Sequence, residues 1–166
     1  MTSSPTTSKT DLTTDLKHEG DVPVAYARRS DWAATHMAPG DRTKQFLGMT
    51  IEQLERGRAV LSMVVRAEMA NGFGITHGGM VFALADTAFA YACNEDEHPT
   101  VASGADITFT RASHEGDTLT ATAVRRWRSG RNGLYDITVT DQHGETIAEF
   151  RGRSFATNRP LPTTSK

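Results

Sequence analysis

Residues 71–94, NGFGITHGGMVFALADTAFAYACN, constrain the fold more than any other part of the chain. Asn71 to Gly79 holds four glycines together with Asn71 and His77, the make-up of a tight polar loop. Met80 to Cys93 is almost wholly apolar and rich in Ala, Leu, Phe and Met, which favour helix. Its apolar residues keep to no single face, so the helix is predicted to be buried. At about 14 residues it is too short to span a bilayer, which takes roughly 20. One charge interrupts it, Asp86. A carboxylate in a buried helix is costly unless it is paired or used in chemistry. The glycine-rich loop opens onto the helix N-terminus, where free amides and the helix dipole favour a developing negative charge. The stretch therefore offers an oxyanion site at one end and a carboxylate further along.

His77 and Asp86 are nine positions apart. On a helix that spacing puts them roughly 13 Å apart and on nearly opposite faces. They cannot both touch one reacting atom from the same chain. If both serve one site, that site lies between two subunits.

The chain has 166 residues, enough for one domain with extended ends, and a formal charge of −2, which gives no basis for nucleic-acid binding. Cys93 is the only cysteine, so no disulfide forms within a chain and a reducing, cytoplasmic compartment is expected. Cys93 also has no cationic neighbour to activate it, which makes it a core residue and not a nucleophile. The six histidines show no metal-ligand spacing, so no metal is expected. The glycines at 72, 74 and 78 miss the spacing of a dinucleotide-binding loop.

Residues 1–20 are dominated by Thr, Ser, Asp and Lys, and 1–29 read as a disordered extension with neither a signal peptide nor a presequence. Residues 30–157 read as the folded domain, and 158–166, with Pro160 and Pro162, as a flexible tail. Ser30-Asp31 before Trp32 resembles a helix cap, Pro39-Gly40 interrupts, and Asp41 to Leu47 resumes as a short helix stopped by Gly48. Gly57 to Arg66 alternates as a strand. After the buried helix come four alternating segments, 101–109, 117–127, 133–140 and 145–156, separated by turn signals at 115–117, 129–133 and 141–144. Tight turns make these an antiparallel meander. A helix without a polar face needs a sheet wrapped around it, so the expected class is α+β, with a polar outer sheet face except where copies join.

The order N-x5-H-G-G-x6-D, carried by Asn71, His77-Gly78-Gly79 and Asp86, resembles the hotdog-fold acyl-CoA thioesterases of the PaaI group. So do LADTAFAYACN at 84–94, GDTLTATA at 116–123, Tyr135-Asp136-Ile137 and Phe150-Arg151-Gly152, and the resemblance covers roughly Ala33 to Ser154. It implies a hotdog fold, an antiparallel sheet wrapped around a long helix at about residues 78–94, paired into homodimers and usually into homotetramers as dimers of dimers. It implies hydrolysis of phenylacetyl-CoA or of hydroxylated aryl- or arylacetyl-CoA thioesters without a cofactor. The partner would be the acyl-CoA alone, with no nucleic acid and no membrane. Asp86 matches the family's catalytic carboxylate, Gly78 the oxyanion amide, and Asn71 and His77 the polar residues arranging the site. Substrate-binding positions would be Gly79, Thr87, Ser103, where some members use a hydroxyl to hold water, and Arg111. Where the family often has Pro after that arginine, this chain has Ala112.

Read from the residues alone, each feature has a plainer explanation. Asp86 is as readily a satisfied structural acid as a base or nucleophile. His77 is ordinarily a helix cap, Gly78-Gly79 a turn, and Asn71-Gly72 a turn signal. Most of the arginines at 111, 125, 126, 128, 131, 151 and 153 are ordinary strand and turn positions, although any could hold phosphate. Hydrolysis of aliphatic acyl-CoAs and non-catalytic acyl-CoA binding on the same fold remain the alternatives. A hydratase would need Asp and His a few residues apart on one loop-helix junction, and that spacing is absent where His77 and Asp86 are nine apart.

Overall fold

The computed structural model describes residues 32–157 apart from Glu97. The expected extension at 1–29, the helix cap at Ser30-Asp31 and the tail at 158–166 lie outside the described residues. The described chain opens with a wide helical turn at Ala33–Met37 and a tighter one at Ala38–Gly40, tucking Ala33 into the core. Helix α1, Arg42–Leu47, begins at Asp41, whose carboxylate accepts the Lys44 N–H at 2.9 Å, and ends at Gly48. The stop at Gly48 is the one the sequence predicts, while Asp41, read from the sequence as the first helical residue, is the cap.

Strand β1, Thr50–Glu55, adds an element that the sequence did not reveal. It pairs with β2, Arg58–Val64, through a bulge that leaves Glu52 without an opposite number. Helix α2, Gly78–Cys93, is followed by β3, Thr100–Phe109, β4, Thr118–Ser129, β5, Asn132–Thr140, and β6, Thr146–Ala156. All neighbours are antiparallel, in the order β1-β2-β4-β5-β6-β3. The expected four-strand meander is therefore corrected. Only β4–β5–β6 run as a meander, while β2 takes the place beside β4 and β3 crosses to the far side of β6. The Glu115-Gly116-Asp117 turn does exist, with the Asp117 N–H donating to His114 O, but it redirects a crossing segment instead of closing a hairpin. Among the described residues β3 has no partner on its other edge.

Helix α2 lies against the inner face of this sheet, which is the hotdog arrangement. Leu84, Ala85, Ala88, Phe89, Tyr91 and Ala92 are buried against Leu61, Leu119, Ala121, Ile137 and Phe150. The Phe89 ring meets Tyr135 edge-on at 5.3 Å and sits so close to Gly152 that a Cβ there would come within 2.8 Å of it. Only glycine fits at that point of β6. The burial of α2 is not complete, however. Gly79, Phe82, Ala83, Asp86, Thr87 and Ala90 form a stripe that this chain leaves partly or fully open. The outer sheet face is polar as expected, with Asp106 paired to Arg153 and Asp136 to Arg126 and Arg151. Exposed pairs of this kind contribute little to stability, because water and salt screen them. No helix among the described residues is long and apolar enough to cross a membrane.

Candidate active site

The loop before α2 is built by its own polar groups. Ala70 and Thr76 form an antiparallel bridge, the Asn71 N–H donates to Ile75 O at 2.8 Å, and the His77 N–H donates to Met69 O at 2.8 Å. Inside this stem the Asn71 side-chain oxygen accepts the Phe73 N–H at 2.8 Å, a turn that asparagine forms readily. Its amide NH2 is left as a free donor among the described residues. Phe73, at the tip, is 90% exposed.

His77 caps α2: its Nδ1 accepts the Gly79 N–H at 2.9 Å, and its carbonyl accepts the Met80 N–H at 2.8 Å. Accepting at Nδ1 puts the ring proton on Nε2. The cap satisfies Gly79, so of these two glycines only Gly78 keeps an N–H without an acceptor among the described residues. That amide stands at the positive end of the helix dipole. The Phe109 ring packs directly on Gly78, where a Cβ would meet it at 3.0 Å, and the ring is 52% exposed on its other side. Phe109 was not identified from the sequence as a site residue, though it is the last inward position of an alternating strand.

Asp86 lies two turns along α2, partly buried on the open stripe. Burial alone pushes its carboxyl above the ordinary value of 3.8, and no hydrogen bond or ion pair offsets this among the described residues. Beside it, the Thr87 hydroxyl donates to Ala83 O at 2.7 Å, which leaves its lone pairs open to a donor such as water. Ser103 is the extra residue of a bulge in β3, and its hydroxyl donates to Arg153 O at 3.1 Å. Bulges re-aim side chains at sheet edges. Here the bulge also breaks the alternation expected from 101 to 109. Cys93 is buried, and burial raises its thiol to about 12, so it stays protonated.

A cavity of about 400 Å³ joins Asn71, Thr76, Gly78 and Phe109 to Arg111 and Ile147. Arg111, at its rim, pairs with Glu145 at 2.7 Å, and both are about half exposed. The other arginines considered as phosphate ligands are engaged elsewhere. Arg125 and Arg128 hold Glu95, Arg126 and Arg151 hold Asp136, Arg153 holds Asp106, and Arg131 stacks on Phe155 while donating to Ala156 O. A larger, shallow depression of about 670 Å³ on the outer sheet face is lined by these same mutually paired charges and lies away from α2. No group of three or more His, Cys, Asp or Glu among the described residues is arranged to hold a metal ion.

One chain thus brings Asn71, His77, Gly78, Gly79 and Arg111 to one region. Asp86 stands further along the helix, with Thr87 beside it. Such an arrangement can stabilise an oxyanion at Gly78 and deprotonate water at Asp86.

The profile of the thioesterase superfamily matches residues 73–148. The chain is 46% identical to the acyl-coenzyme A thioesterase PaaI of Escherichia coli (strain K12) over 124 residues, which covers 74% of this chain and 89% of that protein. Its fold superposes on the structure of the E. coli PaaI protein from the phenylacetic acid degradation operon with a TM-score of 0.78 and 41% identity, covering 81% of this chain and 98% of the other. A mutant of the phenylacetic acid degradation protein PaaI from Thermus thermophilus superposes with a TM-score of 0.68 and 34% identity, over 70% of this chain and all of that one.

Proposed function

We propose a substrate class and residue roles for a chain that belongs to the thioesterase superfamily and is an acyl-CoA thioester hydrolase of the hotdog fold. The substrate is phenylacetyl-CoA or a hydroxylated aryl- or arylacetyl-CoA, split by water in the cytoplasm to the free acid and CoA. Supporting this are the identity to acyl-coenzyme A thioesterase PaaI and that protein's place in a phenylacetic acid degradation operon. One observation carries the residue roles: a Gly78 amide without an acceptor at the head of the helix that also bears a partnerless Asp86, both among the described residues.

In the proposed reaction the Gly78 N–H and the Asn71 amide hold the thioester oxygen, and His77 fixes the turn that presents Gly78. Asp86 takes a proton from water, helped by the Thr87 oxygen. The resulting hydroxide attacks the carbonyl carbon and the electrons move onto the oxygen. Collapse breaks the C–S bond, and the proton on Asp86 passes to the departing CoA sulfur. Gly79 and Ser103 line the path of the substrate, and Arg111 meets the coenzyme's phosphates by exchanging its Glu145 partner for them.

The experiment that tests the substrate class measures thiol release across aryl-, arylacetyl- and aliphatic acyl-CoAs, with pantetheine thioesters alongside. Arylacetyl-CoA is expected to give the highest kcat/KM, and its pantetheine counterpart a raised KM, because phosphate contacts bind ground and transition states alike. An aliphatic optimum would sink the aryl assignment, and equal KM values would remove the role of Arg111.

The site is shared by two copies. Helix rise separates His77 from Asp86 by roughly 13 Å on opposed faces. The open α2 stripe and the free edge of β3 support a second copy as its cover, in a homodimer that pairs again into a tetramer. Asp86→Asn mixed with Asn71→Ala, each inactive alone, is expected to recover activity after subunit exchange, since some heterodimers hold one intact site. No recovery after verified exchange counts against sharing.

A further inference from the structure

Two hydroxyl residues outside every role assigned so far meet beneath the loop that carries the oxyanion amide. Thr76 is 6% exposed and Ser113 2% exposed. The Ser113 hydroxyl donates to the Thr76 hydroxyl at 2.8 Å, and the Thr76 N–H donates to the Ser113 carbonyl at 2.8 Å. Thr76 lies two residues before Gly78. Ser113 lies in the segment that crosses from β3 to β4, just after Phe109 and Arg111. Both residues line the floor of the cavity whose walls include Asn71, Gly78 and Phe109.

We propose that Thr76 and Ser113 are positioning residues for the reaction: their buried hydroxyl pair sets where the Gly78 amide stands relative to the Phe109–Arg111 wall. This rests on the reading of Gly78 as the oxyanion donor. The backbone bond between the two residues is a single point of attachment, about which the stem can turn. The hydroxyl pair is a second point, and two points fix orientation as well as distance. Orientation matters at this place because an amide stabilises an oxyanion only at about 2.7–3.1 Å, and a displacement of about 1 Å can cost 10²-fold in rate. The bonds within the loop tip, from the Phe73 and Gly74 N–H groups to Asn71, do not reach the Phe109–Arg111 wall, so orientation against that wall has to come from the stem. A buried hydroxyl pair is costly if half satisfied and close to neutral if both hydroxyls are replaced by apolar groups. Stability and positioning can therefore be separated by mutation.

The test compares Thr76→Val, Ser113→Ala, the double variant and Thr76→Ser, assayed on the acyl-CoA that the unmodified enzyme hydrolyses fastest. Circular dichroism and sedimentation serve as controls for fold and assembly. Each single removal is expected to lower both the melting temperature and kcat, with kcat down about 10- to 10²-fold and KM nearly unchanged. The double variant is expected to regain most of the melting temperature but not kcat. Thr76→Ser, which keeps the hydroxyl, is expected to hold kcat within about twofold. If kcat returns with stability in the double variant, or if Thr76→Ser is as slow as Thr76→Val, the pair is structural and the proposal falls. Should a single variant fail to fold, the double variant and Thr76→Ser still decide. The reading of Gly78 is tested separately: Gly78→Ala, with a methyl forced against Phe109, loses kcat if that amide is the donor, whatever the hydroxyl pair does.

Discussion

Asp86→Asn is expected to lower turnover by about 10²–10⁴-fold, the usual contribution of a positioned acid–base group, while making the protein more stable at neutral pH. The two effects share one cause. Burial raises the carboxyl above 3.8 in the folded chain, and nothing in the described fold compensates the charged form. In the unfolded chain the group has its ordinary value. Between the two values the native state holds a proton that the unfolded state has released, so stability falls as pH rises through that window. Above the folded value the whole cost is present, and asparagine escapes it. Denaturant unfolding at pH 7 should therefore favour the variant, and the difference should vanish below the ordinary carboxylate range. The acid limb of kcat/KM should likewise lie above 3.8. A folded variant with near-normal turnover would remove Asp86 from the chemistry. A variant no more stable than the parent at pH 7 would show that the carboxylate is not held under strain. Whether Asp86 acts through water is read from a single turnover in ¹⁸O-water with enzyme in excess. Label in the Asp86 side chain shows direct attack, with water opening the mixed anhydride at the Asp86 carbonyl, an outcome that a base cannot produce.

Glu95→Ala should cost about 3 kcal/mol, at the low end for removing one partner of a buried ion pair, and lower the melting temperature by about 10 °C. The Glu95 side chain is fully buried just beyond α2, where Arg125 donates to it at 2.6 Å, Arg128 donates as well, and Arg56 lies at 3.6 Å. Without the carboxylate these guanidinium groups face one another. The low end applies because Arg125 and Arg128 are each about a third exposed and can recover some water. Glu145→Ala, which breaks the exposed pair with Arg111, is the comparison and should cost less than about 1 kcal/mol. Equilibrium unfolding in urea measures both, and equal small losses would mean that the Glu95 cluster contributes no more than a surface contact.

Helix α2 and its entry loop were legible because residue types alone define them: glycines, a capping histidine, then an apolar run broken only at Asp86 and Thr87. β1 was not. Its two inward residues, Ile51 and Leu54, are three apart because the bulge at Glu52 inserts a residue between them, and a spacing of three is a helical signature. The meander was misjudged for another reason. Local turn signals say where a chain bends, but the partner of β3 is chosen by contacts far along the sequence. Within the proposed site, Asn71, His77, Gly78 and Asp86 stood out by type and order. Thr76 and Ser113 could not, because nothing in the sequence says that two hydroxyls 37 residues apart will meet.

The crossing of β3 to the far edge also governs when it can fold. Fifty residues separate Ser103 from the Arg153 carbonyl that it reaches, and the strands between them complete their own hairpins first, since short closures cost less entropy than long ones. During synthesis, at about 5–20 residues per second, α2 and β3 are made several seconds before the strand that receives β3. For that interval α2, the most apolar of the described helices, rests on β1, β2 and then the emerging β4 and β5, while the β6 side of its cover is missing. The growing chain is most open to misassociation then, and a holdase chaperone that shields residues 78–109 should raise the yield of folded protein more than one acting on the finished chain.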